Sequence, residues 1–113
     1  MCNDYGVKNA TGFTVNQIAE LMEEVYKSNF KYGETKNDYY CGITQEDVSD
    51  NLTRHRITHY LVAYQCDNAE IAVEVETILG QKGFNIGDAD GGNGGNDQSV
   101  VVYMYKITED TVQ

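Results

Sequence analysis

Residues 87–99 fit neither a helix nor a strand, and this limits how the rest of the chain can fold. The segment contains five glycines and no large apolar side chain. Glycine loses more backbone freedom on folding than any other residue, and it has no side chain to bury. We therefore predict a long loop that separates the last strand from the preceding elements. A loop of this length in so short a chain indicates either a functional segment or a disordered one.

Hydrophobic periodicity before this loop predicts three helices. Thr14 and Gln17 fit a capping box, and the first helix is expected over residues 15–28. Its apolar stripe consists of Val15, Ile18, Leu21, Met22 and Val25. A second, short helix follows a cap at residues 44–47, and a third follows a cap at residues 67–68. Gly83 fits the carboxyl-terminal cap of the third helix.

Runs of β-branched and aromatic residues predict the strands. They are expected over residues 39–43, 57–66 and 100–107, with shorter strands at 30–32 and 84–86 and an irregular segment over 1–13. Apolar side chains on both faces between residues 60 and 64 suit a central strand that is covered on both sides. The pattern predicts a single α+β domain over residues 1–113, in which about three helices pack on a small, mostly antiparallel sheet.

The composition argues against nucleic acid and membranes as partners. The chain has 18 acidic and 8 basic residues and a net charge of −10, which opposes binding to nucleic-acid phosphates. Its longest apolar runs have five or six residues, whereas a membrane span needs about 20. With no recognisable secretory leader, we expect a soluble, cytoplasmic protein. Cys41 and Cys66 are expected to be small buried hydrophobic residues.

The glycine-rich loop is the strongest candidate for a binding site. Glycines let the backbone approach a ligand closely and point successive N–H groups at an anion. The candidate residues in the loop are Gly91, Gly92, Asn93, Gly94 and Asn96. Phe84, just before the loop, would offer a flat ring to a base. The alternative is that the segment is a flexible hairpin connection.

The one cationic cluster of the sequence lies between the second helix and the following strand. It contains Arg54, His55, Arg56 and His59. Basic side chains bind phosphate through charge-assisted hydrogen bonds, and Arg54 and Arg56 are the candidates for this role. The alternative is that they pair with carboxylates elsewhere on the surface. The sequence does not decide whether they lie near the loop.

Metal binding and catalysis have no matching motif. Counted from Asp88, the EF-hand positions that need an oxygen ligand, a glycine and a glutamate hold Gly92, Asn93 and Ser99. No Gly-Lys-Ser/Thr follows the glycines, as a P-loop requires, and no nucleophile–histidine arrangement has a local signature. We therefore predict no catalytic residue, no metal and no cofactor.

Residues 30–107 resemble a GIY-YIG nuclease domain. The run Tyr40-Cys41-Gly42-Ile43-Thr44 is similar to the second strand motif of that family, and residues 72–76 are similar to the helix that carries its metal-binding glutamate. The resemblance implies that Glu76 is a metal ligand and that Tyr40 lies in the catalytic sheet. The position of the family's catalytic arginine holds Asn51, so the cation that stabilises the transition state is missing. A GIY-YIG-type endonuclease, or a catalytically decayed relative that binds nucleic acid, is therefore the alternative prediction.

The order of elements, the segment around Phe84, the loop and the last strand also resemble the phage Thoeris anti-defence proteins. Those proteins sequester the cyclic ADP-ribose signal of bacterial TIR enzymes without cleaving it; some hold cyclic di- or trinucleotides, and they assemble from dimers. The resemblance implies a ligand held between protomers, with Phe84 on the base, Asn93 in the polar loop and Arg54 or Arg56 as the cation. Where the family has a second arginine, this chain has Lys106.

These observations predict a non-enzymatic binding protein that sequesters a nucleotide-derived signal to block a bacterial immune response. The ligand would be a cyclic ADP-ribose isomer or a cyclic oligonucleotide, and the protein a homo-oligomer built from dimers. If it is encoded by a phage, it acts in the host cytoplasm. A third hypothesis is an acidic inhibitor that imitates nucleic acid on a partner protein, and it rests on the net charge alone.

Overall fold

The computed structural model of the protein describes residues 7–44, 48–86 and 101–111, which form three helices and five strands. The helices are α1 (Val15–Asn29), α2 (Val48–His55) and α3 (Ala69–Gln81), and a 3-10 turn covers Lys36–Asp38. The strands are β1 (Val7–Asn9), β2 (Tyr39–Thr44), β3 (Val62–Gln65), β4 (Asn85–Ile86) and β5 (Val101–Lys106). Within these ranges, every helix is too short or too polar to cross a lipid bilayer.

The five strands form one mixed sheet in the order β1-β3-β5-β2-β4. The central strand, β5, is antiparallel to both β2 and β3, whereas the edge strands β1 and β4 are parallel to their neighbours. The first four strands run in one direction because a helical crossover joins each to the next. The α+β prediction with three helices is confirmed, and the sheet is not purely antiparallel.

The short strand predicted at residues 84–86 is confirmed by β4, but two other short segments differ from the sequence prediction. Residues 7–9 were expected to be irregular, yet they pair with β3 in the register Val7↔Ala63. Residues 30–32 do not form the predicted strand. Instead, the N–H of Phe30 donates to the carbonyl of Tyr26 at the end of α1, and the two rings stack 5.0 Å apart. Three-residue edge strands have no room for a period-2 pattern, so the sequence does not reveal them.

Helices α1 and α3 cover one side of the sheet, which we call the α1–α3 face. As predicted, Thr14 caps α1: its hydroxyl accepts from the N–H of Gln17 at 3.1 Å, and the side chain of Gln17 accepts from the N–H of Thr14 at 2.9 Å. Leu21 and Met22 both belong to the predicted apolar stripe, but Leu21 is 38% exposed while Met22 is fully buried. The core of this face comprises Ile18, Met22, Tyr39, Cys41, Val62, Tyr64, Val75, Leu79, Val102 and Met104, among others.

Helix α2 covers the opposite side of the sheet, the α2 face. Its core consists of Leu52 from α2 together with Tyr40, Tyr60, Ala63, Val101, Tyr103 and Tyr105. Because β3 contributes Val62 and Tyr64 to one core and Ala63 to the other, it is covered on both sides, as its sequence predicted. The expectation for Cys41 and Cys66 is also confirmed: both are buried, and burial raises the pKa of both thiols, that of Cys66 to about 11.

Gly42 is required by the packing of the α2 face. A β-carbon at Gly42 would lie 2.7 Å from the hydroxyl of Tyr103, which is itself held by a hydrogen bond to His55. We expect Gly42→Ala to lower the free energy of unfolding by about 1–3 kcal/mol through overpacking. Urea denaturation measures this effect.

Gly80→Ala is the matched control. Its β-carbon would meet only the flexible, partly exposed side chain of Ile86, whose terminal carbon lies at 2.6 Å and whose other two nearest carbons lie at 3.3 and 3.5 Å. The substitution also improves helix propensity by up to about 1 kcal/mol, so α3 should not lose stability. Equal stability of the Gly42→Ala and Gly80→Ala variants would contradict this account.

Candidate functional site

A buried polar network attaches α2 to the sheet. The hydroxyl of Tyr103 lies 2.8 Å from Nε2 of His55, and the hydroxyl of Tyr105 lies 3.1 Å from Nδ1. One turn earlier, Asn51 accepts a hydrogen bond of 2.7 Å from Tyr60. His55 is 4% exposed and Asn51 is fully buried. A neutral imidazole donates a hydrogen bond from one nitrogen and accepts one at the other. His55 therefore donates to one tyrosine hydroxyl and accepts from the other.

This network was not predicted, because His55 was grouped with the cationic residues around it. The structure separates the two histidines: His55 is buried beneath α2, whereas His59 is exposed. One sequence feature could have indicated the network: side chains alternate along β5, so Tyr103 and Tyr105 share one face of the sheet. Two tyrosines on the same face of a buried strand need a polar partner, and a histidine on the covering helix supplies it.

The carboxyl-terminal end of α3 forms a Schellman motif around Gly83. The N–H of Gly83 donates to the carbonyl of Gly80 at 3.1 Å, and the N–H of Phe84 donates to that of Leu79 at 3.1 Å. The φ of Gly83 is 109°, a left-handed conformation that glycine adopts without a steric cost. The prediction that Gly83 caps this helix is confirmed.

Helix α2 ends in the same motif, but an arginine occupies the left-handed position. The N–H of Arg56 donates to the carbonyl of Thr53 at 3.1 Å, and the N–H of Ile57 donates to that of Leu52 at 3.0 Å. The φ of Arg56 is 62°. A residue with a β-carbon costs about 1–2 kcal/mol in this conformation relative to the right-handed one. Arg56 is thus strained where the equivalent residue of α3 is a glycine.

Arg56 borders a groove of about 340 Å³ at the end of the sheet where β5 finishes. The groove lies between the segment that follows α2 and the segment that follows β5. Its polar and charged lining consists of Arg56, Thr58, His59, Tyr105, Lys106, Thr108, Asp110 and Thr111. The network and the groove therefore share Tyr105, whose hydroxyl contacts His55.

The charges around the groove differ in how strongly they are compensated. Lys106 pairs with Glu34, and this hydrogen bond is the main reason that the pKa of Glu34 falls to about 2. Among the residues that the structure describes, no carboxylate forms an ion pair with Arg56, whose side chain is exposed. Asp110 is the acidic residue of the lining. Arg56 is thus the cation most available to an anionic ligand.

Phe84 lies far from this groove, in the core of the α1–α3 face. It is 4% exposed, its ring packs edge to face against Tyr26 with the centroids 5.3 Å apart, and Nζ of Lys36 lies 5.5 Å from its centroid. The ring therefore presents no exposed surface on which a base could stack. Phe84 and Arg56 lie on opposite faces of the sheet, and the structure does not bring them together.

The predicted loop residues Gly91, Gly92, Asn93, Gly94 and Asn96 lie outside the described residues. The described residues on either side of this segment are Ile86, which pairs with Cys41, and Val101, which pairs with Thr44 at the end of β2. Lys106 lies at the other end of β5, about 17 Å away at 3.3 Å per residue. Arg54 belongs to the last turn of α2, but its side chain is also outside the described part.

The residues that the nuclease resemblance would combine are also separated. Tyr40 belongs to the core of the α2 face, whereas Glu76 lies on α3 on the other side of the sheet, near Cys41. Burial raises the pKa of Glu76 to about 7. Asn51, at the position of the catalytic arginine, is a hydrogen-bond partner of Tyr60. No group of three metal-ligating side chains occurs within residues 7–44, 48–86 and 101–111.

Comparison of the chain with protein-family models, curated proteins and solved structures finds no match.

The two histidines provide a test of the network. His55→Ala removes a hydrogen-bond partner of two buried hydroxyls and leaves a cavity, so we expect the free energy of unfolding to fall by about 3 kcal/mol. His59→Ala changes an exposed side chain whose Nδ1 lies 3.1 Å from the hydroxyl of the neighbouring Thr58, and should change the free energy of unfolding by less than about 0.5 kcal/mol. Chemical denaturation of both variants compares them. Equal losses would show that the His55 network does not anchor α2.

Proposed function

We propose that the protein is a non-enzymatic binding protein for a phosphate-bearing small molecule, and that the ligand is a nucleotide-derived signal such as a cyclic ADP-ribose isomer or a cyclic oligonucleotide. The phosphate would bind at the groove beside Arg56. The protein would act by stoichiometric capture, which requires affinity and no chemical step. Its effect would be to block a bacterial immune response that depends on this signal.

The observation that carries this proposal is the strained backbone of Arg56. Glycine is the residue that fits a left-handed position at a helix end, and α3 uses Gly83 there. Strained residues of this kind concentrate at functional sites, where the side chain contributes something that the fold does not need. At this position the side chain is an exposed guanidinium beside the groove. A guanidinium binds phosphate through two parallel hydrogen bonds.

The surroundings of Arg56 favour a small anion over a polymeric one. His59 and Lys106 line the same groove, as do the hydroxyl groups of Thr58 and Thr108. Asp110 lines the groove as well and Lys106 pairs with Glu34, so the groove is close to neutral, whereas the chain as a whole carries a net charge of −10. A nucleic acid would extend beyond the groove into the acidic surface, whereas a small phosphate-bearing molecule would not.

The groove supports a different set of contacts from the one predicted from the sequence. With Phe84 in the core, base recognition would fall to other groups, and we propose that a second protomer supplies them in a homo-oligomer. Asn93 and the neighbouring glycines stay candidate ligand residues. Val101, the first described residue after them, lies at the opposite end of β5 from Lys106 and the groove, so a partner protomer is the alternative source of these residues.

Arg56→Gly separates the two consequences of the strained position. Removing the β-carbon relieves the left-handed conformation, so we expect the free energy of unfolding to rise by about 0.5–1 kcal/mol. Losing a charged hydrogen-bond donor should weaken binding of the cyclic nucleotide at least about tenfold. Urea denaturation measures the first effect, and isothermal titration calorimetry with cyclic ADP-ribose isomers and cyclic di- and trinucleotides measures the second.

Lys27→Gln is the control, because Lys27 is an exposed cation on α1, on the side of the sheet opposite to the groove beside Arg56. It removes the same charge and should leave the affinity unchanged. If no member of the nucleotide panel binds the parent protein, or if Arg56→Gly binds as tightly as the parent, the proposal is wrong. Equal weakening by both variants would indicate non-specific attraction of anions instead of a site.

A further inference from the structure

The outer surface of α1 carries a second groove, which the ligand site does not use. Its volume is about 540 Å³, and it is lined by Phe13, Gln17, Glu20, Leu21, Glu23, Glu24 and Lys27. Phe13 and Leu21 supply its apolar floor, and they are 39% and 38% exposed. The buried side of α1 is already satisfied by Ile18, Ala19, Met22 and Tyr26, so these two side chains are not needed by the core.

The rim of this α1 groove is acidic. Glu20 and Glu24 are exposed and one helical turn apart, which places their carboxylates side by side. The third glutamate, Glu23, is neutralised by Lys36 at 2.7 Å and Lys82 at 3.1 Å, and its pKa is lowered mainly by the hydrogen bond from Lys36. Lys27 approaches Glu24 only to 3.8 Å and is itself exposed. Beside the apolar floor, Glu20 thus has no ion-pair partner among the described residues, and Glu24 is only weakly compensated.

We propose that the α1 groove is a docking site for a basic amphipathic helix of a partner protein. An apolar side chain of the partner would lie between Phe13 and Leu21, and Lys or Arg side chains one turn apart would contact Glu20 and Glu24. Helices recognise one another in grooves through anchors at this spacing. The rim charges would select the partner and accelerate its association.

The charges of the α1 groove favour a basic helix over a second copy of the chain, a membrane or a nucleic acid. A second copy docked through this groove would place two acidic rims against each other. An anionic membrane or a nucleic acid would be repelled for the same reason. The α1 groove also lies on the side of the sheet opposite to α2 and Arg56, so its use is independent of the proposed function and its failure would leave that proposal unaffected.

The experiment is an NMR titration of the ¹⁵N-labelled full chain with a synthetic amphipathic helix made of leucine and lysine. A peptide of the same composition in scrambled order, which lacks an apolar stripe, is the specificity control. We expect amide shifts concentrated at residues 13–27 for the ordered peptide and weaker binding of the scrambled one. Leu21→Gln should lower the affinity for the ordered peptide by about tenfold, and so should the double substitution of Glu20→Gln and Glu24→Gln. Glutamine keeps helix propensity, so α1 stays folded.

Helix α3 offers matched controls for both changes. Val73 is 39% exposed, as Leu21 is, and Glu70 and Glu74 form an equivalent exposed pair one turn apart. Val73→Gln, and the pair Glu70→Gln and Glu74→Gln, should leave binding unchanged. The proposal would be overturned if the α3 variants lowered the affinity for the ordered peptide as much as the α1 variants do, or if the scrambled peptide bound equally well. Either result would show that the acidic protein attracts basic peptides without a specific site.

Two further results would overturn it in favour of another occupant. Concentration-dependent sedimentation that Leu21→Gln abolishes would show that a second copy covers the groove. Binding to phosphatidylserine vesicles that Leu21→Gln abolishes would show that a membrane does.

Discussion

The hydrogen bonds between His55 and the two tyrosines of β5 hold the α2 face together. Tyr103 and Tyr105 approach opposite nitrogens of the ring, at 2.8 and 3.1 Å, and this fixes the end of α2 over the end of the central strand. Arg56 follows His55 directly, so its position depends on the same contacts. A change that moved α2 would move the guanidinium with it. The packing of the α2 face therefore fixes the position of the exposed cation of Arg56.

Arg56 shows how a local cost indicates a function. The same two backbone hydrogen bonds close α2 and α3, and the fold requires only that the next residue adopts a left-handed conformation. Glycine meets this requirement in α3 at no steric cost. The arginine in α2 stores strain in a domain whose total stability is expected to be only about 5–15 kcal/mol. We attribute its presence to the ligand that we propose its side chain binds.

The sequence was informative where a structural rule is local. The capping box of Thr14 and Gln17 and the glycine cap at Gly83 depend on residues a few positions apart, and both were predicted correctly. The α+β class followed from the same patterns. Leu21 and Met22 both fit the helical stripe, and which of them is buried depends on how α1 lies against α3 and the sheet, which periodicity does not specify.

The candidate site was less accessible to sequence reasoning because its contacts are long-range. His55 meets tyrosines about fifty residues later, and Phe84 is buried by Tyr26 and Lys36 from other parts of the chain. Arg56 was recognised as a cation from its type. Its strained conformation was not foreseen, because a left-handed arginine has no sequence signature.

The most direct measurement of the central claim is the position of the ligand on the protein. Amide chemical shifts of the ¹⁵N-labelled chain, recorded during titration with a cyclic ADP-ribose isomer and a cyclic dinucleotide, report it without any substitution. The account predicts that one of these ligands shifts the amides of Arg56, His59 and Lys106 and leaves those of α1 unchanged. Saturable binding that shifts residues elsewhere and leaves these three unaffected would contradict it.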